Sequence, residues 1–141
     1  MAEKVRNNAF FRVCVDKAES GRFSGRVYSW WLSQPLAFSD LGGLVLGVEE
    51  LMDAKNMPQA FQRSRSFSPR TPKPFDFTGE GLTPQEMDAQ KGAFATFCFV
   101  VDSRLSSSWQ GEIDWLNGER QPFSSVLDLI FMVDTHLSGL V

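Results

Sequence analysis

Apolar and polar residues alternate in two stretches that lie far apart in the chain. The first stretch runs from Phe11 to Val15 and the second from Phe97 to Val101. A period of two residues is typical of a strand with one buried face. After a polar loop, a second strand is predicted in each case, at Arg22 to Tyr28 and at Trp109 to Leu116. The pattern therefore predicts two β-hairpins.

A helical period follows each hairpin. In the second half, apolar residues recur at helical spacing from Val126 to Leu137, after a capping serine at 124 or 125. In the first half, residues 41–52 show the same spacing after Asp40 or Ser39. Three glycines weaken this first helix by about 1 kcal/mol each relative to alanine; they are Gly42, Gly43 and Gly47. We expect a helix in both halves, and the second to be the more stable.

The two halves resemble one another in sequence. Residues 11–16 match residues 97–102 at an offset of 86, and Phe23-Ser24-Gly25 aligns with Trp109-Gln110-Gly111. The helices align after a shift of one residue, as a turn of different length would require. A glycine inside each second strand often marks a bulge or a close backbone approach. We interpret the halves as an internal repeat, although any two α+β segments could share such spacing.

These patterns predict an α+β fold made of two tandem β-β-α repeats. The hairpins would join in one four-stranded antiparallel sheet, with two helices on one face and a pseudo-two-fold axis. We expect a single domain over residues 1–141, with repeat 1 at 9–54, a linker at 55–92 and repeat 2 at 93–141.

The predicted linker is long and rich in proline, and its first part is basic. Residues 55–75 carry five basic side chains and no acidic one. Four of these, with phenylalanines between them, could grip the phosphates of a nucleic acid; they are Arg63, Arg65, Arg70 and Lys73. A solvated tether is the favoured alternative. Near the end of the linker, Thr83 to Glu86 has the spacing of a helix capping box.

Composition argues against several classes of protein, namely nucleic-acid binders, membrane proteins and metalloproteins. A net charge of −3 argues against a general nucleic-acid binder. The polar N-terminal residues contain no targeting signal, and the apolar run at 126–137 is too short to cross a bilayer. We therefore expect a cytoplasmic protein that does not enter a membrane. With one histidine and two cysteines, predicted to be free thiols, we expect neither a metal nor another cofactor.

The sequence contains no convincing catalytic group. Ser106 to Ser108 have no histidine nearby, and His136 falls near the end of the second helix. Asp16 and Asp102 occupy matching positions at strand ends, so a paired acid–base role is conceivable, but such residues are more often turn formers. We predict that the protein is not an enzyme.

Aromatic and aliphatic side chains provide the candidate interaction residues. Trp109 and Trp115 share one face of a strand beside Gln110, and this face is either core or a protein-binding patch. Leu127 and Phe131 lie off the main apolar face of the second helix. They would either meet the first helix or form a patch that a homodimer covers.

The segments Ser108-Trp109-Gln110-Gly111 and Phe123-Ser124-Ser125-Val126-Leu127-Asp128-Leu129 make the second half similar to a group of small proteins of Gram-positive gut bacteria. The pattern they share is Ser-Trp-Gln-Gly followed by Phe-Ser-x-x-Leu-x-Leu. These relatives have no known activity, so the resemblance implies no catalytic residue.

We therefore predict a non-enzymatic protein-interaction or regulatory module whose protein partner is unknown. The alternative is a nucleic-acid-binding accessory protein that uses the basic linker. A weaker alternative is a small-molecule-binding domain with its pocket between the two repeats.

Overall fold

A computed structural model describes residues 8–58, 81–104 and 108–141. These residues form one antiparallel sheet of six strands in the order β3-β2-β1-β4-β5-β6, together with three helices. The elements in chain order are β1 (Phe10–Glu19), β2 (Arg22–Ser29), β3 (Leu36–Phe38), α1 (Leu41–Lys55), α2 (Pro84–Ala89), β4 (Ala95–Ser103), β5 (Gln110–Asp114), β6 (Arg120–Phe123) and α3 (Val126–Ser138).

The α+β class is confirmed, but the predicted four-stranded sheet built from β-β-α units is wrong. Each half contains a third strand before its helix. In the first half β3 follows the turn after β2, and in the second half β6 follows the turn after β5. These strands are only three and four residues long. Such short segments contain too few residues to show an alternating pattern, which is why they resembled the ends of turns.

The helices α1 and α3 cover one face of the sheet and bury most of the large apolar side chains there. Asp40 caps α1 by accepting a hydrogen bond from the Gly43 amide at 2.6 Å, and Ser125 caps α3 by accepting one from the Asp128 amide at 3.0 Å. The three glycines do not prevent a 15-residue α1, since burial of its apolar face outweighs propensity. Both helices share one core cluster with aromatic residues of the central strands, among them Phe11, Phe97 and Phe99.

The central strands β1 and β4 pair with Arg12 opposite Cys98. The pairing of β1 with β2 shifts between Val15 and Lys17, and that of β4 with β5 shifts between Val101 and Ser103. Beside these bulges, a Cβ on Gly25 would lie 2.0 Å from one neighbouring carbonyl oxygen, and one on Gly111 would lie 1.8 Å from another. The close backbone approach predicted for both glycines is therefore confirmed, whereas the internal repeat itself stays a prediction.

The opposite side of the sheet, which we call the outer face, carries α2. The capping box of α2 is confirmed, because Glu86 accepts a hydrogen bond from the Thr83 amide at 2.9 Å and Thr83 accepts one from the Glu86 amide at 3.1 Å. Met87 is fully buried in this layer. The buried Arg12 holds the end of the segment by donating to the carbonyl of Gln90 at 2.8 Å. Residues 81–92, predicted as the end of the linker, therefore lie on the sheet.

In the parts of the chain that the structure describes, no helix combines the length and the apolar character that crossing a bilayer would require.

Candidate functional site

Three large apolar side chains project from the layer formed by α1 and α3. Leu46 of α1 is 66% exposed, and Leu127 and Phe131 of α3 are 78% and 69% exposed. Leu127 and Phe131 are four residues apart, so they are neighbours on the helix surface. We call these three residues, together with the crevice described next, the helix-layer surface.

A narrow apolar crevice between the two helices has room for no more than about one water molecule. Val45 of α1 and Ile130 of α3 form its walls, and Phe97, Phe99 and Trp109 contribute to its floor. All the lining residues are apolar, so the crevice offers no group for acid–base chemistry or metal binding. Sites for small molecules are usually about 300–1,000 Å³ and contain a few polar groups that fix orientation. The crevice is far smaller than such a site.

The two helices are acidic. Together they carry five carboxylates and only one lysine; the carboxylates are Glu49, Glu50, Asp53, Asp128 and Asp134. Some of them have structural partners. Asp128 accepts a hydrogen bond from the Ser124 amide at 3.0 Å, and Glu49 accepts one from the Trp109 indole at 2.5 Å. Asp134 is exposed one turn beyond Ile130 and Phe131. Glu49 and Asp53 also lie within 3.5 and 2.6 Å of the buried Arg104 guanidinium, which offsets part of their charge.

A buried arginine fixes the end of α1 beside the crevice. The Arg104 side chain is only 2% exposed and donates to the carbonyl oxygen of Pro58 at 2.7 Å and to Asp53 Oδ1 at 2.6 Å. Glu49 Oε2 lies 3.5 Å from the same guanidinium. The sequence analysis missed this cluster, because Arg104 follows a polar strand end and nothing in the local pattern indicates burial.

The structure separates the predicted interaction residues into two groups. Trp109 and Trp115 are buried at 1% and 6% exposure, whereas Leu127 and Phe131 lie on the surface. Gln110 is half-buried and accepts a hydrogen bond from the Ser103 hydroxyl at 2.9 Å. Trp109 still contributes to the site, since it forms part of the crevice floor.

The second tryptophan belongs to a different contact. The Trp115 indole donates to Gln121 Oε1 at 2.8 Å, and its ring stacks on His136 with 3.9 Å between centroids. The predicted nucleic-acid contacts Arg63, Arg65, Arg70 and Lys73 lie outside the described residues.

The two carboxylates considered for a paired acid–base role do not lie together, and Ser106 and Ser107 lie outside the described residues. Asp16 follows the Val15–Ala95 pair and Asp102 follows the Phe10–Val100 pair, so the two carboxylates lie at opposite ends of the β1–β4 ladder. The Arg26 guanidinium donates to Asp16 and holds the pKa of that carboxyl below its ordinary value. No cluster of histidine, cysteine and acidic residues suited to a metal ion occurs among the described residues.

Both cysteines are free and buried. Burial raises the pKa of Cys98 to about 12 and also raises that of Cys14. A thiolate rather than a thiol is the nucleophile in cysteine chemistry. At neutral pH both side chains are therefore protonated thiols.

No protein-family model, no curated protein and no solved structure matches this chain. The similarity to small proteins of Gram-positive gut bacteria consequently stays a prediction. A functional proposal has to be based on the geometry and charge of the described residues.

Proposed function

We propose that this protein is a non-enzymatic interaction module that holds a partner protein on the helix-layer surface. The observation that carries the proposal is the exposure of three large apolar side chains on the two helices, which are Leu46, Leu127 and Phe131. Soluble domains rarely leave contiguous apolar surface uncovered unless it binds something. Large apolar and aromatic side chains of this kind are typical of the centre of a protein-binding site.

Site-specific photo-crosslinking tests this proposal in the cells that produce the protein. A benzophenone amino acid replaces Phe131 in one variant and Asn117 in a control variant. Both positions are exposed, but Asn117 lies in the turn between β5 and β6. We expect position 131 to give a discrete crosslinked product that is absent at position 117. Equal products at both positions, or none at position 131, would contradict the proposal.

A second crosslinking position protects the test against a local failure. Leu46 lies on α1, so the same amino acid at position 46 samples the other helix of the layer. We expect positions 46 and 131 to capture the same product. Different products at the two positions would mean that the helix-layer surface is not one site.

A further inference from the structure

We infer that Asn117, in the turn between β5 and β6, is a site of self-modification at which the Gly118 backbone nitrogen displaces ammonia from the Asn117 side chain. The products carry aspartate or isoaspartate at position 117. The inference is independent of the helix-layer surface. It follows from the exposure of the turn and from the hydrogen bonds that Asn117 makes with Glu119.

The turn is open to solvent and depends on a glycine. Asn117, Gly118 and Glu119 are all exposed. The Trp115 amide closes the turn by donating to the Glu119 carbonyl oxygen at 3.1 Å. Gly118 has a φ of 95°, which favours glycine, and a Cβ built on it would meet no atom within 4 Å. Water therefore reaches the peptide that follows Asn117, and no neighbouring side chain crowds it there.

The main chain of Glu119 orients and activates the Asn117 amide. The Glu119 N–H donates to Asn117 Oδ1 at 2.9 Å. This hydrogen bond folds the side chain of Asn117 back along the main chain of the residues that follow it. The same N–H stabilises the negative charge that develops on Oδ1 when a nucleophile attacks the amide carbon, as a donor in an oxyanion hole does.

The side chain of Glu119 contacts the nitrogen that has to leave. Asn117 Nδ2 donates to Glu119 Oε1 at 3.5 Å. A carboxylate at this place can accept the proton that the Gly118 nitrogen loses and deliver it to the departing nitrogen, which is general acid–base catalysis. The contact is long and exposed, so we expect a modest contribution to the rate.

The reaction needs only water as a co-reactant. The Gly118 nitrogen bonds to Cγ of Asn117, the bond from Cγ to Nδ2 breaks, and ammonia leaves with the proton lost by Gly118. The product is a five-membered succinimide ring. Water then breaks one of the two bonds from the ring nitrogen to a carbonyl carbon. Cleavage at Cγ gives aspartate, and cleavage at the main-chain carbonyl gives isoaspartate.

Either product alters the turn. A carboxylate at position 117 lies beside the Glu119 carboxylate, where the amide of Asn117 donated before. Isoaspartate also adds one carbon atom to the main chain inside the turn that the Trp115 amide closes. Because the Trp115 ring stacks on His136, the change occurs next to the contact that fixes the end of α3.

Asn56 provides a control within the same chain. It is exposed, like Asn117, and also precedes an exposed residue. That residue is Met57, whose side chain crowds the main-chain nitrogen and whose amide donates to the Met52 carbonyl oxygen at 3.1 Å. A nitrogen engaged in this way is poorly placed to attack, so we expect Asn56 to keep its amide.

Peptide mapping by mass spectrometry tests the inference on the purified full chain, incubated near pH 8.5 at 37 °C. We expect Asn117 to convert at least about tenfold faster than Asn56, because only Asn117 has an oriented amide and an available nucleophile. Both isoaspartate and aspartate should form, with an equal amount of ammonia released. Asn117→Gln should release no ammonia over the same period, since its longer side chain does not form the five-membered ring.

Two matched variants test the carboxylate. Glu119→Gln should slow the conversion by about threefold, whereas Glu112→Gln, on the neighbouring strand β5, should leave the rate unchanged. Circular dichroism checks the fold of each variant. Glu119→Asp, which withdraws the carboxylate from Nδ2, repeats the test if Glu119→Gln does not fold.

Three results would count against the inference. Conversion of Asn117 that is no faster than that of Asn56 would overturn it. Aspartate without isoaspartate would mean that water attacks the amide directly, which overturns the ring-forming step. An unchanged rate in a folded Glu119→Gln variant would overturn the role given to the carboxylate.

Discussion

Replacing Arg104 with methionine should destabilise the protein far more than the same change at Arg120. Arg104 is buried and donates to the Pro58 carbonyl oxygen and to Asp53 at 2.7 and 2.6 Å. Arg120 is 66% exposed, and its closest carboxylate oxygens lie 3.7 and 3.8 Å away. Methionine keeps much of the unbranched apolar stem of arginine and removes the guanidinium, so the pair compares the same chemical change at a buried and an exposed position.

The magnitude follows from the two short hydrogen bonds. A hydrogen bond to a charged group contributes about 1.5–3 kcal/mol net, and the two contacts of Arg104 at 3.5 Å add little. The Asp53 side chain is 42% exposed and stays hydrated after the change, which reduces the cost. We expect Arg104→Met to lower the free energy of unfolding by about 2–4 kcal/mol. For Arg120→Met we expect a change within about 0.5 kcal/mol.

Urea unfolding followed by tryptophan fluorescence at 25 °C measures both changes, provided that the urea dependence of the unfolding free energy stays constant among the variants. A double-mutant cycle with Asp53→Asn should give a coupling of about 1–2 kcal/mol to Arg104, because the two side chains are in direct contact. A destabilisation by Arg104→Met that is no larger than that of Arg120→Met would refute the reasoning. It would mean that the buried hydrogen bonds do not hold α1 on the sheet.

Three further predictions follow from the backbone and from titration. Gly111→Ala should destabilise the fold by about 2–3 kcal/mol in urea unfolding, because its Cβ would collide with a carbonyl oxygen, whereas Gly47→Ala in α1 should stabilise it by about 0.5–1 kcal/mol, since the nearest side-chain atom lies at 3.9 Å. Because the pKa of Cys98 is raised in the folded protein, this thiol ionises at a lower pH in the unfolded chain than in the folded one. The free energy of unfolding should therefore fall as pH rises from 9 towards 12, and replacing this cysteine with alanine should remove that contribution. The hydrogen bond from Arg26 lowers the pKa of Asp16, so the ionised carboxylate stabilises the fold above pH 3.8. This stabilisation should be lost as the pH falls below 3.8, and it should be absent in Asp16→Asn.

The parts of the fold that could be predicted from the sequence are those with a local pattern. Alternation revealed β1 and β4, because each has a buried face several residues long. Each helix cap could be narrowed to two adjacent residues, and the structure shows that Asp40 and Ser125 are the caps. The close approach of a neighbouring strand's backbone to Gly111 could also be predicted, because a glycine within a strand is visible in the local sequence.

The parts that could not be predicted depend on contacts between distant residues. Residues 81–92 gave a correct helix signal at Thr83, but nothing nearby shows that Met87 reaches the outer face and packs near Cys14. Trp109 and Trp115 share a strand face, and the strand pattern does not say whether a helix covers that face. The burial of Arg104 could not be predicted either, because its partners on α1 lie about 50 residues earlier in the chain.

The candidate surface was partly predictable for a geometric reason. The apolar sector of α3 is wider than one sheet contact needs, so Leu127 and Phe131 had to meet either α1 or something else. The exposure of both side chains excludes their burial against the described part of α1. The sequence alone could not decide this, because the answer depends on how far apart the two helices lie on the sheet.

That separation has an identifiable structural basis. The C-terminal half of α1 is tied to the end of β4 by Arg104, which contacts Asp53 and the Met52 carbonyl. The last turns of α3 are fixed elsewhere, where His136 stacks on Trp115 beyond the end of β5. Each helix is therefore anchored to the sheet independently of the other helix. Because each helix is fixed separately, the exposed side chains of α1 and α3 are held in place before any partner binds, and a preorganised surface loses less conformational freedom on binding.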